Sequence, residues 1–517
     1  MPPFSLSFFL LYLKDSQFIQ SEHHFNSFMR VFIFGIGGTG ARVLRSFTML
    51  IAGGVNTPQK NLEIIPVIID MDAHNGDTAR TRDLLRNYHS IRQTFVNSST
   101  GSQAENFFNV RLRPFNRLDP EQGDTGSLDV QFDFQNRDDT FANYIGYDGL
   151  SSVNKDLIQL LYNDSLDESP ELYLNLSLGF KGNPNRGSVV FNDLKYTQHF
   201  KNFEGSFTGE DRVFIISSIF GGTGSSGFPT LTKLIRNSSN SNLAHTKIGA
   251  ITVMPYFNVD ADDKSAINSS IFDTKTKSAL SYYSGDKDIN SINALYYIAD
   301  SNQSGTLPNV EGGADQINPS HMIELLAATS ILDFVSKTNS ELETPQSYEF
   351  GAENDGNPFT LSRFNDTTKN RYFKPLIRLA YAAKIATDFI PQLHDNTFYK
   401  SQELNIGGSL GIPNEYKKLL GFFEEFQKWS SEELGNADNG RVLNLFNFNE
   451  TKHLNTLIQG KSIETGWLNK GLTVKKIGEK LTKINSGEPN DTPVPERYLK
   501  MLYKTAEECL KELGQLP

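Results

Sequence analysis

The stretch Val213–Gly227 reads VFIISSIFGGTGSSG, a short apolar run followed by four glycines among the last seven residues. An apolar run of this length that ends in glycine is typical of a strand buried on both faces of a sheet. Apolar residues from Phe228 to Ile235 then recur at helical spacing. Glycine lets backbone N–H groups approach an anion closely, and the start of a helix presents N–H donors and a positive dipole end. The stretch therefore predicts a strand, a phosphate-binding loop and a helix in that order.

Two other glycine-rich loops occur in the chain. The first, Gly35–Gly40 (GIGGTG), follows the apolar run Val31–Phe34 and fits the G-x-G-x-x-G pattern of dinucleotide-binding turns. The second, Gly182–Gly187 (GNPNRG), follows alternating leucines from Leu172 to Leu178, which predict a strand. It approaches the P-loop pattern but lacks the lysine, and taken alone it is equally well explained as a surface turn. If all three loops follow parallel strands, they meet at one edge of the sheet and surround a single nucleotide.

The order of strand and helix patterns predicts the architecture. They alternate from Val31 to about Val335, which indicates an α/β fold with a doubly wound, mostly parallel sheet of about six strands. A helix is expected to begin at Asn318 and Pro319, because asparagine suits the N-cap and proline the first turn. Further helices are predicted at 374–393, 415–435, 441–458, 472–484 and 494–513. The expected organisation is a peripheral extension at 1–28, a nucleotide-binding domain at 29–337 with a polar insertion at about 89–165, a linker at 338–372 and a mainly helical C-terminal region at 373–517.

The composition restricts the partners and the location. Asp and Glu outnumber Lys and Arg by 60 to 49, which gives a formal net charge of −11. This balance argues against a nucleic-acid binder, which carries a basic surface. No apolar run reaches the roughly 18 residues that a membrane-spanning helix needs. Cys509 is the only cysteine, so a disulfide within the chain is impossible, and a reducing, cytoplasmic location is expected.

The order of four motifs resembles that of the tubulin/FtsZ superfamily of GTPases, and the long polar insertion is most similar to the divergent bacterial tubulin-like proteins. The motifs are Gly35–Gly40, the acidic Asp70–Ala73, Gly182–Gly187 and the signature-like Gly221–Gly227. The resemblance covers the chain from Val31 to Val335. It implies GTP or GDP with Mg²⁺ as cofactors, and head-to-tail self-association into nucleotide-dependent filaments or oligomers, with further protein partners.

The same resemblance implies a role for each loop. The first and third loops would hold the α- and β-phosphates, and the second would close over the γ-phosphate. Asp72 would act near Mg²⁺ through water rather than as part of a protein metal site, and Asn318 would contact the guanine base. The implied nucleotide-binding residues are Gly35, Gly37, Gly38, Thr39, Gly40, Asp72, Ala73, Gly182, Asn183, Gly187, Gly221, Gly222, Thr223, Gly224, Ser225 and Asn318.

Hydrolysis in this family uses acids of a loop after the long helix, which reach the GTP of the next subunit and position water. The best match here is Phe359–Asp366, in which the two acid positions read Ser362 and Asn365. Asp366 and Asp355 are the remaining candidate catalytic acids. GTP hydrolysis is therefore expected to be slow or to depend on a partner.

Two other functions fit parts of the same pattern. A non-hydrolysing, nucleotide-gated scaffold of a bacterial defence or segregation system would use the same loops without the catalytic acids. A Rossmann-type NAD-dependent oxidoreductase would use Gly35–Gly40, with Asp70 or Asp72 about 30 residues later for the ribose. The oxidoreductase would leave Gly221–Gly227 without a role.

Because the first core strand begins directly at Met29, a protein that starts at Met29 is expected to fold and to bind its ligand as well as the full chain does. Thermal unfolding and ligand titration of both forms test this expectation. A large drop in melting temperature, or loss of binding in the shorter form, would mean that residues 1–28 belong to the fold.

Overall fold

The computed structural model describes residues 29–59, 61–72, 74–96, 105–115, 128, 130–132, 134, 137–162, 171–260, 272–300, 306–310, 312–350, 364–394, 414–432, 445–448, 454–458, 472–489 and 492–514. The predicted extension at 1–28 and most of the candidate catalytic loop Phe359–Asp366 lie outside these residues.

A parallel sheet forms the centre of the fold. Strands lie at Met29–Ile36 (β1), Leu62–Ile69 (β2), Arg111–Leu112 (β3), Arg212–Ser218 (β4), Lys247–Val253 (β5), Asn258–Val259 (β6), Ala294–Ile298 (β7), Thr306–Leu307 (β8) and Gln346–Phe350 (β9). Seven of them form one sheet in the order β3-β2-β1-β4-β5-β7-β9, and every pair in it is parallel. The short strands β6 and β8 pair separately. This order confirms the predicted doubly wound parallel sheet.

The strand order reverses between β1 and β4. From β1 the chain moves outward through β2 to β3, and after it returns to β4 it moves the opposite way through β5 and β7. The two strands pair directly, with Val31 opposite Arg212 and Gly35 opposite Ile216. In open parallel sheets this reversal leaves a crevice at the carboxyl ends of the two strands, where ligands bind. The first and third glycine loops both leave from this crevice.

Helices cover both faces of the sheet. They lie at Gly37–Ala52 (α1), Gly76–Phe95 (α2), Phe141–Tyr144 (α3), Ser152–Tyr162 (α4), Pro184–Phe191 (α5), Gln198–Ser206 (α6), Gly222–Arg236 (α7), Ser241–Ala244 (α8), Phe272–Gly285 (α9), Met322–Ser336 (α10), Asp366–Thr368 (α11), Lys374–Lys384 (α12), Ile390–His394 (α13), Asn414–Glu432 (α14), Val474–Gly487 (α15) and Val494–Glu512 (α16). Helix α1 packs against α2 and α10, whereas α7 packs against α5. The C-terminal helices α14 and α16 pack against α2, and α12 packs against both. The predicted helical C-terminal region is thus confirmed, and Cys509 is buried within α16.

The core forms around segments in which consecutive residues are apolar. Residues Val31–Phe34 of β1 are fully buried, because helices cover both faces of this central strand. Helix α1 is buried along almost its whole length, so that even Arg42 and Arg45 lie inside the protein. Since a buried guanidinium must be paired, these two arginines require acidic partners from other elements.

Two predictions around the second loop and α10 are wrong. The leucines from Leu172 to Leu178 do not form a strand; they lie in 3₁₀ turns at Glu171–Tyr173 and Leu176–Leu178. The alternating pattern was misleading, because a strand also needs a neighbouring strand to pair with. Helix α10 begins at Met322 instead of Asn318. His321 is its N-cap, because its Nδ1 accepts the backbone N–H of Ile323 at 3.1 Å.

Two further differences lie after residue 337. The predicted helix at 441–458 is not found in its described parts, which contain an isolated antiparallel bridge between Phe446 and Ile458 and a 3₁₀ turn at Leu454–Thr456. The predicted linker at 338–372 contains β9, which extends the sheet beside β7. Its exposed position at the sheet edge explains why its sequence lacks the apolar run of a central strand.

Gly40→Ala is expected to destabilise the protein by about 1–3 kcal/mol, the usual cost of overpacking a core. A Cβ atom at position 40 would lie 2.6 Å from the carbonyl carbon of Gly35 and 3.1 Å from the carbonyl oxygen of Ile216. Gly421→Ala in α14 is the matched control, because a Cβ there meets no atom within 4 Å. The control should gain about 0.5–1 kcal/mol of stability from the lost chain entropy of glycine. Urea unfolding measures both, and a Gly40→Ala protein as stable as the wild type would contradict the close contact of α1 with β1.

Candidate functional site

One pocket opens at the carboxyl ends of β1, β2 and β4. Its empty volume is about 980 Å³, a figure that includes space open to solvent. It brings together residues from all three glycine loops and from the acidic motif. The predicted site residues that line it are Gly37, Gly38, Thr39, Asp72, Gly182, Gly221, Gly222, Thr223, Gly224 and Asn318.

The first loop ends in the N-terminus of α1. Gly37 opens the helix with a φ of +69°, a left-handed conformation that favours glycine. Its N-cap, Ile36, provides no side-chain hydrogen bond, and the first turn contains no acidic residue. Because the first N–H groups of a helix have no acceptor within the helix, those of α1 are left for a ligand in the pocket.

The third loop ends in the N-terminus of α7 in the same way. Its N-cap, Gly221, also provides no side-chain hydrogen bond. The Oγ of Ser225 donates to the carbonyl oxygen of Gly221 at 2.5 Å, so this hydroxyl is used within the helix. A Cβ atom at Gly37 would lie only 3.2 Å from the Cβ of Thr223, which shows how closely the two helix starts approach. Two uncapped helix N-termini therefore open side by side into one pocket.

Neighbouring helices are capped by their own side chains. In α2 the Oδ1 of Asn75 accepts the N–H of Thr78 at 3.0 Å. In α5 the Oδ1 of Asn183 accepts the N–H of Asn185 at 2.9 Å. With the His321 cap on α10, this contrast identifies α1 and α7 as the helix starts available to an anion.

The second loop forms one wall of the pocket. Gly182 lines it and lies against the third loop, since a Cβ atom at Gly222 would be 3.0 Å from the backbone nitrogen of Gly182. Asn183 faces away, where its amide nitrogen donates to Glu171. Gly187 lies behind the wall, with a Cβ position 2.8 Å from the Cβ of Ser226.

Some predicted site residues do not line the pocket. Gly35 and Gly40 lie against each other and join β1 to α1. Asp366 starts α11, where its side chain is 89% exposed and lies 3.2 Å from Lys369 Nζ. Ala73 and Asp355 lie outside the described residues. The residues that the pocket leaves out are Gly35, Gly40, Asn183, Gly187, Ser225 and Asp366.

Two carboxylates stand beside the helix starts. Asp72 accepts the N–H of His74 at 3.0 Å and the N–H of Gly313 at 2.6 Å, which fixes its orientation. Asp70 also lines the pocket, and burial, reinforced by the charge of Asp72, raises the pKa of Asp70 to about 7. In the part of the chain that the structure describes, no group of three or more acidic, His or Cys residues could hold a metal. A hard cation such as Mg²⁺ would need oxygens of a ligand and water besides these carboxylates.

Arg42, which the sequence did not identify, is the charged centre of the pocket wall. Its Nε donates to Glu324 at 2.5 Å, its Nη1 to Asp77 at 2.9 Å and its Nη2 to the hydroxyl of Tyr256 at 2.6 Å. Burial by itself lowers the pKa of Arg42, but Tyr256, Glu324 and Asp77 outweigh burial and raise that pKa well above its ordinary value. The guanidinium is thus a permanent, rigidly held cation.

Asp77 connects Arg42 to Asn318 and to the C-terminal region. Its carboxylate accepts both the backbone N–H and the side-chain N–H of Asn318, each at 3.0 Å. It also accepts Arg80 at 2.6 Å, and Arg80 lies 3.4 Å from Glu432 at the end of α14. Apart from Arg80, which lies three residues after Asp77 on α2, these partners are far apart along the chain, and no local pattern marks them.

Part of the pocket wall is aromatic. Phe220, Phe257 and Phe272 line it, and the ring centroid of Phe220 lies 5.6 Å from that of Phe257 and 5.0 Å from that of Phe272. Such a surface suits a planar ring or the apolar face of a sugar. The sequence did not identify these residues, because single phenylalanines in a chain rich in phenylalanine carry no positional signal.

Comparison with known proteins shows only a weak similarity of structure. No protein-family model matches the chain, and no curated protein matches it. Among solved structures, the chain is similar to CetZ2 from Haloferax volcanii in a GTPγS-bound protofilament. The TM-score is 0.26 and the sequence identity 12%, over 60% of this chain and 58% of that chain. A likeness this weak fixes neither the ligand nor the assembly of this chain.

Within the described residues, no helix is both long and apolar enough to cross a membrane.

Asp77→Ala is expected to lower the free energy of unfolding by about 3–5 kcal/mol, because it breaks a buried ion pair and leaves Arg42 with one of its two carboxylate partners. Asp83→Ala on the same helix is the matched control. The Asp83 side chain is 73% exposed and lies 3.6 Å from Arg86, and pairs of this kind contribute about 0.2–1 kcal/mol. Chemical unfolding of the two variants measures the difference, and equal, small losses would contradict a buried charge centre around Arg42.

Proposed function

We propose that the chain is a tubulin-like protein that binds a guanine nucleotide with Mg²⁺ in this pocket and self-associates head to tail. The observation that carries the proposal is the pair of uncapped helix N-termini, α1 and α7, that open into one pocket. Together they offer N–H donors and two positive dipole ends to the same oxyanion. The order of the motifs along the chain supports the tubulin-like interpretation.

The pocket offers different groups to the phosphates, the metal ion and the sugar or base of a nucleotide. Phosphates fit against the starts of α1 and α7, and the ion-pair cluster around Arg42 holds α1 in place. Asp70 and Asp72 would hold Mg²⁺ next to the phosphates, directly or through water, and the ion would neutralise charge on the phosphate oxygens. The aromatic side chains would cover the sugar or the base.

Asn318 favours a ring edge with hydrogen-bond donors. Both of its N–H-bearing groups donate to Asp77. Asn318 lines the pocket, and its backbone carbonyl accepts Arg80 at 2.5 Å, so its side-chain oxygen is left as an acceptor for a ligand. An acceptor suits the N1–H and N2–H₂ donors of guanine. The same edge of adenine presents one donor, N6–H₂, beside the acceptor N1, and therefore offers an amide oxygen fewer hydrogen bonds.

Assembly and hydrolysis follow from the same proposal. A head-to-tail contact is heterologous, and such contacts produce open filaments unless the rotation closes a ring. Asp366 does not reach the pocket of its own chain, but its exposed carboxylate is accessible to a neighbouring copy. Hydrolysis would then be slow or partner-dependent, and the protein would act in the cytoplasm with other proteins.

Two alternatives are kept as outcomes of the test. The strand order on both sides of β1 also occurs in dinucleotide-binding folds, and Gly37 to Thr39 lie where such folds hold a pyrophosphate. This observation favours an NAD-dependent oxidoreductase as the second candidate. A non-hydrolysing, nucleotide-gated scaffold differs from the leading proposal only in the absence of phosphate release.

Gly38→Asp is expected to abolish nucleotide binding while the fold survives. A Cβ atom at Gly38 has only Arg42 Nη1 near it, at 3.9 Å, so a side chain fits beside the pocket. Aspartate in the first turn stabilises a helix, but its charge repels phosphate at the same N–H groups. Titration with GTP should show at least about a tenfold loss of affinity, a change of about 1.4 kcal/mol in binding free energy. The melting temperature of the ligand-free protein should be unchanged or higher.

Gly38→Ala is the control, because it adds volume without charge and should retain most of the affinity. Unchanged GTP affinity in Gly38→Asp would reject the first loop as a phosphate site. Thermal stabilisation of the wild type by NAD and not by GTP would replace the proposal with the oxidoreductase. Gly224→Val is not a suitable variant for testing nucleotide binding by the third loop. A Cβ atom at Gly224 would lie 2.5 Å from the carbonyl oxygen of Ser218, so the substitution would disturb the fold itself.

A further inference from the structure

Helix α9 places a lysine against the second glycine loop, which forms one wall of the pocket. Phe272, in its first turn, lines the pocket. Lys275, one turn later on the same face, donates from Nζ to the carbonyl oxygen of Gly182 at 2.8 Å. The side chain thus crosses from α9 to the second glycine loop.

The ammonium group lies close to the helix start that opens into the pocket. A Cβ atom at Gly182 would be 3.2 Å from Lys275 Nζ. Gly182 also contacts the third loop, because its backbone nitrogen lies 3.0 Å from the position of a Cβ atom at Gly222. Gly182 therefore lies between the ammonium group of Lys275 and the N-terminus of α7.

Among the residues that the structure describes, Lys275 forms no salt bridge, and its hydrogen-bond partner is the backbone carbonyl of Gly182. Glu171, which accepts a hydrogen bond from Asn183, acts on Lys275 through its charge. Burial lowers the pKa of Lys275, and the charge of Glu171 opposes that effect. An ammonium group has three donors, and Gly182 takes one of them.

We infer that Lys275 binds the terminal phosphate of the nucleotide and supplies, from a different helix, the lysine that the second loop lacks. The loop Gly182–Gly187 follows the spacing of a P-loop except for its lysine. A lysine contributes to such a site as a point charge with rotatable donors, so it does not have to come from the loop itself. The inference rests on the proposed function and makes the site selective for a triphosphate over a diphosphate.

The test compares the affinities of GTPγS and GDP for the full chain, with Mg²⁺ present, in the wild type and in four variants. Lys275→Met removes the charge, and Lys275→Gln removes the charge but keeps a donor for the carbonyl of Gly182. Both should lose at least about tenfold in GTPγS affinity, with a much smaller change for GDP. Lys275→Arg should keep most of the selectivity. Lys277→Met, an exposed lysine on the same helix, should behave like the wild type.

The outcomes separate the two proposals. A wild type that binds neither GTPγS nor GDP overturns the proposed function. A wild type that binds both, with the ratio of the two affinities unchanged in Lys275→Gln, overturns the role of Lys275 alone. Equal losses for GTPγS and GDP in both Lys275→Met and Lys275→Gln also overturn it, because they mean that the lysine only holds the second loop in place.

Discussion

The parallel pairing of β1 with β4 is the constraint on which the site depends. Because these strands are neighbours and their carboxyl ends lie at one edge, the loops that follow them must leave the sheet side by side. Glycine at positions 37 and 224 then lets both segments of the chain turn directly into helices, so the starts of α1 and α7 almost touch. A pocket with two sets of N–H donors is the geometric result of this pairing.

A buried charge centre holds the rest of the pocket in place. Arg42 on α1, Asp77 on α2 and Glu324 on α10 come from three helices, and their mutual pairing fixes how those helices sit around the pocket. The chain of pairs continues through Arg80 to Glu432, at the end of α14. The C-terminal helices are therefore part of the structure that orients Asn318, although none of them was predicted to concern the site.

The sequence was sufficient where local signals decide the structure. The two segments Val31–Gly40 and Val213–Gly227 each contain a buried strand, a glycine turn and a helix start, and both form as predicted. Alternation from Leu172 to Leu178 failed, because a strand also needs a partner strand. The residues around Arg42 escaped prediction for a physical reason: their partners are up to 282 positions apart, and only the folded chain brings them together.

The identity of the nucleotide that the protein carries tests the central claim most directly. Protein purified without added nucleotide would be denatured, and the released compound identified by ion-exchange chromatography and mass spectrometry. The account predicts GDP or GTP in an amount approaching one per chain. Release of NAD or an adenine nucleotide, or an empty protein that takes up no GTP in the presence of Mg²⁺, would contradict it.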